Sequence, residues 1–271
     1  MSQPEQASYV YAVTRPLPSG ELGKVRGVGR HPVHPVEEDG LVAVVSTVPL
    51  NEFDEDALRA NLEDLRWLEE TARAHHSVVE ALANTATTVP LRLATVYRNE
   101  DRVREVLRQD HAMFDAVLRR LSGRTEYSVK VYADPAERAA AVEAPPQPDP
   151  GESPGKAYLR RRREQRERQD DTWRVAADLC ESTDAALTAW ARARAQHRPQ
   201  DSSLAGVPGE NVMNLAYLVA AEDVEPFLTE ARRLQDRAPA GTRVEVSGPW
   251  APYSFASAEP SGSREPDGDR V

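Results

Sequence analysis

Six histidines, one cysteine and an arginine-rich run are the parts of this 271-residue sequence whose residue types could do chemistry. A metal site needs three or four ligands at a spacing that a fold can bring to one point. His31 and His34 lie in His-Pro-Val-His-Pro, a proline-containing loop that fixes no ligand geometry, and no third ligand follows from spacing. His75 and His76 are adjacent in ARAHHSVVE. Helical neighbours point about 100° apart, so this pair cannot share an ion, and no HExxH accompanies it. The expected outcome is one histidine at the edge of the core and one in solvent. Cys180 falls on an apolar stripe, where burial raises a thiol's pKa and makes it a structural group instead of a nucleophile. Gly23, Gly27 and Gly29 form neither GxGxxG nor a P-loop, and no GxSxG elbow occurs. The residues therefore predict a protein that is not an enzyme and has no metal or cofactor.

Two segments have the composition of contact surfaces. Gly248-Pro-Trp-Ala-Pro-Tyr-Ser-Phe255 puts Trp250, Tyr253 and Phe255 on a proline-broken stretch that can be neither helix nor central strand. Such rings either cross from the last strand onto the other domain and fix the interdomain angle, or stand exposed as an anchor for a partner. The first reading is preferred. Arg160, Arg163 and Arg166 open i,i+4 pairs with Glu164, Glu167 and Asp170, each worth a few tenths of a kcal/mol. A solvated helix face is the simplest account of them; an interaction helix that steers an assembly partner is the functional one.

The elements that would position these segments follow from periodicity. Ser8–Thr14 is rich in aromatic and β-branched residues and Leu41–Ser46 is a continuous apolar run, so both read as strands, the second buried on both faces. The glycine-rich stretch 20–40 between them is turn chemistry with at most one weak strand. Apolar residues at three- and four-residue steps predict one long helix from Asp54 to about Ala83. Pro90–Tyr97 reads as a strand with its proline first, and Asn99 caps a second helix that Gly123 closes. Glu126–Tyr132 alternates as a half-buried strand. The proline-rich stretch 133–156 reads as a flexible insertion, and Ala157–Ala195 as a long helix whose seam is Trp173, Ala176, Cys180, Thr183, Leu187 and Trp190. Asn211–Ala220 is a central strand, Asp223 caps a helix, and Thr242–Ser247 is the last strand. The prediction is an α+β protein: an N-terminal α+β domain over 1–124, a modified ferredoxin-like domain with a long charged helix over 125–255, and a disordered tail over 256–271.

A formal net charge of −10 repels polyphosphate and argues against a nucleic-acid partner. No apolar run approaches the roughly 20 residues that span a bilayer, and MSQPEQAS has no signal-peptide character, so no membrane role is expected. One cysteine fits a reducing cytoplasm.

Seven segments in order resemble the gas vesicle accessory proteins of the F/L type: YVYAV, the glycine-rich turn, LVAVVSTVPLNEF, AHHSVVEAL, TTVPLRLATVY, GKAYLRRRR and the closing GPWAPYSF, spanning about residues 8–255. The family commonly has Phe-Gly where this chain has Leu93-Ala94, and often a second proline where it has Ala251. The resemblance implies two domains, the second ferredoxin-like, and a part in building gas vesicles as an adaptor or chaperone. The implied partners are the hydrophobic shell protein and other accessory proteins, in the cytoplasm and at the vesicle. The alternative reading is a small-molecule-binding regulator built on the ferredoxin-like half.

Overall fold

The computed structural model describes residues 5–17, 25–141, 154–199 and 208–257. They form an α+β protein with two antiparallel sheets, which partition between two compact units: residues up to 125 together with those from 250 onward, and Glu126–Pro249. The segment from Trp250 thus counts with the first unit, whereas the expected second domain ran on to residue 255.

In the first unit, β1 (Gln6–Thr14) pairs antiparallel with β3 (Leu41–Pro49), and the sheet order is β2-β3-β1-β4 with β5 also on β1; β2 is His34–Glu38, β4 Thr88–Pro90 and β5 Val96–Tyr97. A bulge falls between Val10 and Ala12, so Tyr11 is the extra residue and faces the same core as Tyr9. β2 and β3 form a hairpin closed by Asp39 and Gly40, both at positive φ, the two-residue turn that matches strand twist. β3 is buried on both sides over Leu41–Ser46, as its unbroken apolar run requires.

The single helix expected over 54–83 is instead α1 (Leu50–Phe53), α2 (Glu55–Glu63) and α3 (Leu65–Ala83). Asp64 is extended, and its carboxylate accepts from the Arg66 and Trp67 amides, so a new N-cap interrupts the apolar period. The strand expected over 90–97 is likewise two short strands around a turn at 91–95, with Pro90 ending β4 instead of starting a strand. Asn99 caps α4 (Glu100–Gln109) as expected, its side chain accepting from the Arg102 amide at 2.9 Å, but Asp110 breaks the continuation into α5 (His111–Leu121).

The second unit runs β6 (Arg124–Ala133, from Glu126), α6 (Pro135–Ala141), α7 (Pro154–Thr188), β7 (Ala191–Gln196), β8 (Glu210–Ala220), α8 (Val224–Asp236) and β9 (Thr242–Trp250, to Pro249), with sheet order β7-β8-β6-β9. α6 occupies the start of the stretch expected to be an insertion; 142–153 lies outside the described residues, as does 258–271 of the expected tail. The helix expected to reach Ala195 stops at Thr188, and ARARAQ becomes an edge strand. Asp223 makes no side-chain cap; its carboxylate pairs with Arg192 at 2.9 Å. The core joins Tyr127, Val129 and Val131 of β6 and Leu215, Tyr217 and Val219 of β8 to Leu179 and Leu187 of α7 and Phe227, Ala231 and Leu234 of α8.

Candidate functional site

The three rings of the last segment belong to the first unit, and two of them, Trp250 and Tyr253, lie against histidines of α3. Phe255 is 7% exposed and Ala251 is part of the core, whereas Trp250 and Tyr253 keep 41% and 38% of their surface. Trp250 lies 6.1 Å from the ring of His76, and Tyr253 contacts both His76 at 6.5 Å and His75 at 6.4 Å. The Arg120 guanidinium donates to the carbonyls of Phe255 and Ser257 at 2.5 and 2.6 Å, so a cation at the end of α5 pins the strap's backbone.

His75 connects this strap to the centre of the unit. Its Nε2 is 3.2 Å from the Leu91 carbonyl, which can only accept, so Nε2 carries the proton. Nδ1 therefore accepts from the Tyr9 hydroxyl at 3.0 Å, and that hydroxyl accepts the Ala94 amide at 3.0 Å. Every proton in the chain is assigned. Burial pushes the His75 pKa down to about 4 and holds Tyr9 protonated, so the network is neutral. Tyr11 heads a second network: it accepts from the Val28 amide and donates to Ser46, which donates to the Pro32 carbonyl, each at 2.9 Å. These are satisfied structural groups, and none is poised next to a nucleophile. His75 is buried and His76 half-buried, close to the expected split. His34 stands on β2 with Nε2 3.0 Å from Glu100, and His31 lies at the turn before it, so the two do not converge. Among the described residues no group of His, Cys, Asp and Glu could hold a metal ion.

A groove of about 530 Å³ opens in the second unit between the later part of α7 and the β7–β8 edge of the sheet. Trp173, Ala176, Ala177 and Cys180 form its helical wall, and Val212, Met213 and Leu215 its apolar floor. Asp184 anchors the polar end, accepting from the Tyr217 hydroxyl at 2.8 Å and pairing with Arg194 of β7. Of the expected seam, Ala176, Thr183 and Leu187 are buried and Cys180 is half-buried, with burial pushing its thiol up to about 11 and so keeping it protonated. Trp173 and Trp190 depart from that seam: both are exposed, because the stripe precesses around the helix and Trp190 lies past its end. Sequence reasoning missed this groove because it needs β7, which was read as helix.

Arg160, Arg163 and Arg166 occupy the first half of α7. Arg163 pairs with Glu167 at 2.9 Å as expected, Arg166 is exposed, and Glu164, the expected partner of Arg160, has a side chain outside the described residues. None of these three arginines lines the groove.

Known proteins agree with one another on what resembles this architecture. The family described as gas vesicle synthesis protein GvpL/GvpF matches residues 7–257. The gas vesicle protein L of Streptomyces sp. (strain CB03234) is 44% identical over 256 residues, covering 93% of each chain. The crystal structure of gas vesicle protein GvpF from Anabaena sp. PCC7120 superposes with a TM-score of 0.66 at 19% identity, over 96% of this chain and 100% of that one. GvpF from Microcystis aeruginosa gives 0.64 at 21% identity, over 93% and 99%. At those identities the two crystal structures speak for the fold.

Proposed function

The chain belongs to the gas vesicle GvpL/GvpF family, and from that premise we propose that it serves gas vesicle assembly by holding the hydrophobic shell protein, or another accessory protein, as an adaptor or chaperone. The observation that carries this reading is the groove beside β7. Among the described residues β7 is an edge strand and offers a row of backbone donors and acceptors, and the mixed trough next to it, with an apolar floor and a polar end, offers cover for the side chains of an added strand. A very hydrophobic subunit needs both kinds of cover before it joins a wall. The element order β-α-β-β-α-β and sheet order β7-β8-β6-β9 support reading the second unit as a modified ferredoxin-like domain, with α6 inserted after its first strand.

In this reading Trp250, Tyr253 and Phe255 fasten the strap within the first unit, the first two against α3, and Arg160, Arg163 and Arg166 add a charged surface for approach. No residue is assigned a catalytic role. The test is co-expression of the shell protein with and without this chain, followed by fractionation. A shift of the shell protein from pellet to supernatant supports the reading, and an unchanged distribution refutes it.

The groove's volume also suits a small molecule, which keeps a ligand-binding regulator as the second reading. A metabolite that raises the melting temperature of wild type but not of Ala177→Trp, which fills the groove, would favour it.

A further inference from the structure

We propose that this chain associates with further copies of itself, the basic start of α7 on one copy docking against the acidic α1–α2 segment of another. Residues 156–163 carry Lys156, Arg160, Arg161, Arg162 and Arg163 and no acidic residue, a charge of +5 in a chain of net −10. Residues 52–64 carry Glu52, Asp54, Glu55, Asp56, Glu63 and Asp64 against Arg59, a charge of −5. The two windows are equal and opposite.

Each window also exposes apolar surface that solvation alone does not explain. Tyr158 and Leu159 are 56% and 66% exposed beside the arginines; Leu62 is 44% exposed beside the carboxylates, and Leu65, one residue past that window at the start of α3, is 79% exposed. Apolar residues ringed by charge of one sign mark a contact whose partner carries the other sign. A second copy supplies that partner at the concentration of the chain itself. Nucleic acid fits less well: the arginines are followed by Glu164, Glu167, Asp170 and Asp171, and the rest of the molecule repels phosphate. Because the two windows differ, one contact leaves a free basic end and a free acidic end, and association is head-to-tail. The groove shares no residue with either window, so this inference stands apart from the shell-protein reading.

Sedimentation velocity of the full chain tests it at about 0.01 M and about 1 M salt, where the Debye length is about 30 and 3 Å. Wild type is expected to gain mass with concentration at low salt and to return to monomer at high salt. The triple variants Lys156→Glu/Arg162→Glu/Arg163→Glu and Glu52→Lys/Asp56→Lys/Glu63→Lys should each associate at least about ten-fold more weakly than wild type at low salt. Each retains one intact window, so mixing them should give a 1:1 pair and nothing larger. Circular dichroism checks that both variants fold, and all six side chains replaced are exposed. Wild type that stays monomeric at low salt, variants that associate as well as wild type, or a mixture no heavier than its components would each overturn the proposal. So would a monomer that captures RNA or anionic vesicles through the same arginines.

Discussion

Tyr9 and Tyr11, two residues apart on β1, each organise a buried hydrogen-bond chain, and a single atom in the wrong place should break either one. A Cβ on Gly27 would lie 1.9 Å from the Tyr11 hydroxyl and 2.6 Å from Ser46 Oγ. Gly27→Ala should therefore cost about 2 kcal/mol or more, read as a lower urea midpoint, by displacing a hydroxyl that the Val28 amide needs. Ala94 sits at φ 60°, where an L-residue is strained by about 1–2 kcal/mol, part of which glycine returns to the unfolded chain as entropy. Ala94→Gly should raise stability by about 0.5–1 kcal/mol. Glycine is the residue this backbone position favours. His75 titrates near about 4 when folded and near 6.5 when unfolded, so between these values the unfolded chain binds the extra proton. Stability should fall as pH drops through that window, by about 2 kcal/mol from pH 7 to pH 5, and His75→Leu should remove that slope while lowering stability at both pH values. The existence of the His75 site was legible in the sequence; its tautomer depends on Leu91, 16 residues away, which no local pattern reveals.

At the scale of elements, the strap 250–257 separates burial from ring count. Phe255→Ala should cost about 3 kcal/mol and Trp250→Ala about 1, because only the first empties a filled site. Loss of partner capture by Trp250→Ala with stability intact would assign the exposed indole to binding instead. Strands with strong β-branched content and helices with caps, such as β1, β3, β8 and the Asn99-capped α4, were legible in advance. The failures share a cause. Asp64 and Asp110 sit inside unbroken apolar periods, and period outweighed the side-chain cap at Asp64 and the non-helical backbone at Asp110 that divide the helices there. β7 was hidden because alanine and arginine are good helix formers, although Ala191, Ala193 and Ala195 alternate with polar residues in the two-residue rhythm of a strand. The Asp39-Gly40 pair was a hairpin signal in plain view between β2 and β3.

At the scale of the whole molecule, two units divide the work: the first carries the neutral histidine–tyrosine network and its strap, and the second carries the groove beside an edge strand. No helix among the described residues is long and apolar enough to cross a membrane. The groove's place against β7 was invisible to sequence reading, whereas the family resemblance was not. The most direct measurement is sedimentation of purified shell protein mixed with equimolar chain, wild type or Ala177→Trp. The account predicts that wild type holds the shell protein in the supernatant and that the groove-filled variant releases at least about ten times more of it to the pellet. Equal pelleting with and without the wild-type chain would contradict it.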